Sequence, residues 1–199
     1  MILLDKIYGQ GMFSGDHPVV GDPDAIDLIA VNEWGPCEPN ERTGVLDPGD
    51  VNRRLASMAL EAQAEHAHPV PIVGTMAVQI ALSQVSGKTV KLEYVVDDAV
   101  GTHGEVERTK AAMDKHGHNV VLLLAQAHHA GRAALLFEHV GVRAYESPSL
   151  ITASPQYVVP PNLPRDFRPE SRQRGIQKKS LFVAHELAVG PVLLALGKL

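Results

Sequence analysis

The stretch VVLLLAQAHHAGRAALLF, residues 120–137, decides the fold. Val120 to Ala125 is an unbroken apolar run with no alternation. Such a run suits a central strand of a parallel sheet, covered by helices on both faces. Gln126, His128, His129 and Arg132 then break the run, and from His129 to His139 the apolar residues recur at helical spacing until Gly141. The stretch therefore predicts a buried strand, a polar junction and a helix, the repeating unit of an α/β sheet.

The same alternation extends in both directions. Asp27 to Val31 reads as a strand ending at Asn32-Glu33, followed by the Pro/Gly-rich loop WGPCEPNERTGVLDPGD. Asp50 is placed to cap a helix over Val51 to His66. Val70 to Thr75 reads as a second strand, with Pro71 near its start, and Met76 to Val85 as a short helix. Val90 to Val96 alternates and is β-branched, a third strand that ends in Asp97-Asp98. Thr102 and Glu105 have capping-box spacing at the head of a helix running to His116. Val142 to Tyr145 is a fifth strand. Residues 147–175 read as a long Pro-rich loop, and residues 176–197 as a closing helix. Together these predict one Rossmann-like α/β domain over residues 1–199. Its three layers hold a five-stranded, mainly parallel sheet with right-handed crossovers.

Composition narrows the class. The chain has 199 residues, 45% hydrophobic and 21% charged, with a formal net charge of −5. No basic stripe with interleaved aromatics occurs, so a nucleic-acid partner is not expected. Asp5 and Lys6 follow only three apolar residues after Met1, which is not a signal-peptide pattern. No window of about 18 apolar residues suggests a membrane span. Cys37 is the only cysteine, so no intrachain disulfide is possible, in keeping with a cytoplasmic location.

Parallel α/β sheets bind ligands beyond the carboxyl ends of their strands, where strand order reverses. The residues expected on that edge are Asn32 and Glu33, then Thr75, then Asp97 and Asp98 with Thr102 and Glu105, then Gln126, His128 and His129, then Glu146 and Ser147. His128 and His129 are adjacent, so one should face the pocket and the other turn outward. Arg132 follows His129 on nearly the same helical face. A His and an Arg at a helix N-terminus make an anion receiver, with Arg53 or Arg54 as a second cation. Asp97, with Glu105, would act as acid, base or orienter; a paired acid is also able to hold a metal or a ribose hydroxyl. No HExxH or cysteine pair occurs, so no metal is assigned. His66-x-His68 and His116-x-His118 read as loop histidines. GxSxG, Walker A and GxGxxG motifs are all missing.

Several short segments share an order with a known family. These are Asn52-Arg53-Arg54-Leu55-Ala56, Val73-Gly74-Thr75-Met76, Asp97 through Thr102-His103-Gly104-Glu105, and Gln126-Ala127-His128-His129-Ala130-Gly131-Arg132-Ala133, with Glu186 and Gly197 near the end. In them the chain resembles the YdcF/SanA/ElyC-like family over roughly residues 25–197. The resemblance implies a Rossmann-like parallel sheet with an Arg on its first helix. The family's Ser-Gly-Gly turn is reduced here to Gly74-Thr75, and Gln126 replaces a hydroxyl residue, which leaves substrate and reaction open. Members are linked to bacterial envelope metabolism and many carry a membrane anchor. The lack of one here implies a soluble substrate.

The expected function is a cytoplasmic enzyme, in specialised biosynthesis, acting on a small anionic metabolite. The reaction would be group transfer or displacement of a phosphate- or sulfate-like leaving group. His129, Asp97 and Glu105 are the catalytic candidates. Arg132, Gln126, His128, Thr75, Thr102, Asn32, Glu33 and Arg53 are the binding candidates. Two alternatives stand beside it: a non-catalytic module for a nucleotide-like ligand such as S-adenosylmethionine, and a subunit of a homo- or hetero-oligomer joined through the apolar C-terminal helix.

Overall fold

The computed structural model describes residues 23–40, 42–96, 101–144, 156–160 and 162–166. The expected C-terminal helix, Asp97, Asp98, Glu146 and Ser147 lie outside these residues. In chain order the elements are β1 (Leu28–Val31), β2 (Glu38–Pro39), β3 (Leu46–Asp47), α1 (Gly49–Glu65), β4 (Ile72–Gly74), α2 (Met76–Ser86), β5 (Tyr94–Val95), α3 (Gly101–His116), β6 (Val120–Leu124), α4 (Ala127–His139), β7 (Arg143–Ala144) and β8 (Gln156–Val158).

The main sheet runs β5-β4-β1-β6-β8-β7 with every neighbouring pair parallel. β1 lies at its centre, with Ala30 in register with Val73 on one side and Leu123 on the other. All of β1 and β6 is buried, which is why both read as continuous apolar runs. Burying a side chain such as Leu123 contributes about 1.5–3 kcal/mol. The chain steps outward from β1 through β4 to β5, then returns to β6 on the far side. Right-handed crossovers therefore put α1 and α2 on one face and α3 and α4 on the other. The helix contacts agree: α1 packs on α2, and α3 on α4. The architecture is a three-layer α/β fold, and strand order reverses between β1 and β6.

Two elements differ from the sequence expectation. The sheet has a sixth strand, β8, drawn from the segment read as a long loop. Gln156-Tyr157-Val158 slots between β6 and β7, with all three residues buried. Pro155 and Pro160 flank it in the sequence, so the segment reads as loop, yet the four residues between them, Gln156 to Val159, suit a strand and carry no proline. The loop after β1 also holds a small antiparallel hairpin, β2 with β3.

Local chemistry explains the junctions. Asp50 does not cap α1; the Asp47 carboxylate accepts from Gly49 N–H at 2.8 Å, and Asp50 sits in the first turn, where its charge favours the helix dipole. Gly74 closes β4 where α2 approaches: a Cβ there would lie 2.9 Å from Val78 Cγ1. Gly141, at φ 89°, ends α4, as its position in the sequence predicts.

Candidate functional site

At the carboxyl ends of β1, β4 and β6, two groups of polar side chains meet under the α3–α4 layer. The first group links β1 to α3 and α2. Asn32, the residue after β1, donates through Nδ2 to Glu105 Oε2 at 3.1 Å. Its neighbour Glu33 accepts a short hydrogen bond from the Thr75 hydroxyl. Thr75 is the residue before α2, yet its side chain does not cap that helix. The second group joins α3 to α4. Thr102 Oγ1 lies 3.0 Å from His129 Nε2 and accepts from Arg132 Nη2 at 2.5 Å.

Helical spacing brings the groups together. Thr102 and Glu105 are three residues apart on α3, and His129 and Arg132 are three apart on α4, so each pair shares a face. The two faces oppose each other where α3 packs on α4. Thr102 and Glu105 are therefore not a capping box. The helix starts at Gly101, before Thr102, and both side chains turn inward to partners on other elements.

Burial sets the protonation states. Burial pushes the Glu105 carboxyl up to about 8, and the nearby charge of Glu33 pushes the same way. Hydrogen bonding to the Glu33 backbone, the Arg132 charge and the Asn32 amide oppose this without reversing it. Glu105 is thus a proton-bearing acid at neutral pH. Burial, then the Arg132 charge, holds His129 well below the usual imidazole range, so its ring is neutral. Trp34 packs on that ring, with centroids 5.6 Å apart at 59°.

The other expected residues take different places. Gln126 is fully buried and caps α4: its Oε1 accepts from His128 N–H at 2.8 Å, and its Nε2 donates to the Asp166 carbonyl at 3.3 Å. Ala127 N–H donates to the Pro164 carbonyl at 2.8 Å, and the His129 and Ala130 amides to the Gln126 carbonyl. The first amides of α4 are all taken by protein acceptors, so the expected backbone anion site there is already filled. His128 does not turn outward; it is buried like His129. Arg53 is not in the cluster. Asp47 and Asp50 each hold it at 2.6 Å, and Gln84 accepts from it at 3.2 Å, so it stays with α2 on the other layer. Arg54 is the one that crosses the edge, to an ion pair with Asp166. Asp97 lies outside the described residues.

Trp34 and Asn52 belong beside this cluster, although no sequence motif marks them. Asn52 is buried, accepts from Trp34 N–H at 2.7 Å, and donates to the Gly35 and Pro48 carbonyls at 3.0 and 2.8 Å. It fastens the turn that sets Trp34 against His129. The available signal was the single tryptophan, two residues beyond Asn32 in a Pro/Gly-rich loop.

Among the described residues, no three His, Cys, Asp or Glu side chains gather as a metal-ligand set. No helix among them is long and apolar enough to cross a membrane. No family model matches the chain, and no curated protein or solved structure does either.

Proposed function

We propose that the protein is an enzyme acting on a small anionic metabolite, by group transfer or by displacement of a phosphate- or sulfate-like leaving group. One observation carries this reading. A guanidinium, a neutral imidazole and a proton-bearing carboxyl converge at the reversal of strand order, where open parallel sheets hold ligands. Arg132 receives the anionic group. Glu105 supplies a proton to the departing oxygen, or takes one from the incoming nucleophile once ionised. His129 stabilises negative charge as it develops, in a setting where fixed donors act strongly because water is kept out. Asn32 and Thr75 hold the two carboxyl groups in place. The reading rests on these residues and not on the family resemblance.

The test is a screen of phosphate esters, sulfate esters and carboxylates, with consumption followed by mass spectrometry. A substrate turned over by the wild type should lose about a hundredfold or more in rate with His129→Ala and with Arg132→Ala. Unchanged turnover in both variants would overturn the reading.

A further inference from the structure

Thr102 is a short side chain asked to satisfy two larger ones. Its oxygen is 2.5 Å from Arg132 Nη2 and 3.0 Å from His129 Nε2, and both Thr102 and His129 are buried. A guanidinium has no acceptor, so Arg132 donates and the Thr102 oxygen accepts. What remains is the direction of the second bond. Nε2 either carries a proton and donates to the same oxygen, or it is bare and accepts the hydroxyl proton.

Position in the helix decides between these. A helical threonine usually gives its proton to the carbonyl four residues back. Thr109, two turns further along α3, does so, to the Glu105 carbonyl at 2.8 Å. Thr102 is the second residue of α3, and the residue four before it precedes the helix. It has no helical carbonyl to bond. Among the described residues its oxygen meets only Arg132 and His129, so if His129 Nε2 also donated, the buried hydroxyl would have no acceptor there, the costlier arrangement. Donation from Arg132 also polarises the hydroxyl and strengthens its own onward bond.

We propose that Thr102 is a positioning residue that relays the hydrogen bond from Arg132 and fixes His129 as the neutral tautomer with its proton on Nδ1. The lone pair on Nε2 is spent on Thr102, so the ring offers a proton and does not take one. His129 therefore acts as a hydrogen-bond donor to developing negative charge, and the proton transfer falls to Glu105. That functional half rests on the enzyme reading above; the tautomer does not, and it is measurable without a substrate.

The experiment is long-range ¹H–¹⁵N spectroscopy of the full chain labelled with ¹⁵N-histidine, at pH 7.5. The His129 signals are assigned by their loss in His129→Gln. The expected wild-type pattern is a pyrrole-type Nδ1 and a pyridine-type Nε2. Thr102→Ser should keep that pattern. Thr102→Val should restore the Nε2–H form that free histidine prefers. A wild-type ring protonated on Nε2, or on both nitrogens, would overturn the proposal, as would an unchanged pattern in Thr102→Val. Should Thr102→Val fail to fold, the wild-type and Thr102→Ser spectra decide alone, because Nε2–H in either contradicts the relay. A wild-type protein that shows this tautomer but turns over none of the anionic substrates would instead count against the enzyme reading and leave the relay intact.

Discussion

Asn32 and Glu105 stand 73 residues apart in the chain, and the amide of the first donates to the carboxyl of the second across 3.1 Å. This bond ties the end of the central strand to the first turns of α3. It also leaves a buried acid whose protonation is coupled to folding.

Glu105 is raised from 4.5 to about 8 in the folded protein. Between those values the folded chain holds a proton that the unfolded chain releases. The group's contribution is therefore complete below about 4.5 and is lost as pH climbs through about 8. Glu105→Gln is neutral throughout and still accepts from Asn32. Its stability relative to wild type should rise with pH, by about 2 kcal/mol between pH 6 and 8. Urea unfolding at the two values measures this, and a pH-independent difference would contradict the protonated acid.

Asn52→Ala removes one acceptor and two donor bonds in a buried site. The expected loss is about 2 kcal/mol or more, because Trp34 N–H and two carbonyls lose their partner. Tryptophan fluorescence gives a second readout, since Trp34 is the only tryptophan and should become wetter.

Gly74→Ala forces a Cβ to within 2.9 Å of Val78. A destabilisation of about 1–3 kcal/mol is expected from the overpacking. Combining it with Val78→Ala should recover part of that loss, which thermal unfolding of the single and double variants would reveal.

Gln126→Ala should cost about 0.5–2 kcal/mol as a lost helix cap. Arg54→Ala should cost less than about 1 kcal/mol, since both partners of its ion pair with Asp166 are more than half exposed. If the ion pair proved the larger of the two, the carboxyl-edge segment would be held by charge and not by the Gln126 and Ala127 bonds.

Much of this arrangement is legible in the sequence. The 120–137 stretch gives both strand and helix because β6 is covered on both faces and α4 begins at once after it. The edge residues Asn32, Glu33, Thr75, Thr102, Glu105, His129 and Arg132 follow from the rule that parallel strands deliver their ends to one rim, and the structure brings them together. Side-chain direction is less legible. Thr102 and Glu105 have the spacing of a capping box, which would start the helix at His103, but α3 starts two residues earlier, at Gly101, and both side chains turn inward. Arg53 and Arg54 are adjacent and alike, and the choice between them depends on nearby Asp47 and Asp50 for the first and on Asp166, 112 residues away, for the second. β8 is obscured by its prolines, since three residues give too little alternation to register.

The placement of β8 has a consequence for biosynthesis. β7 is made before β8 but among the described residues has no neighbour in the sheet except β8, and one side of β6 has no described partner until Gln156 to Val158 emerge. A nascent chain of about 150 residues thus carries a naked, wholly apolar strand margin, the kind that recruits other chains. Release from the ribosome at that length should yield aggregates, whereas extension past Val158 seals the seam.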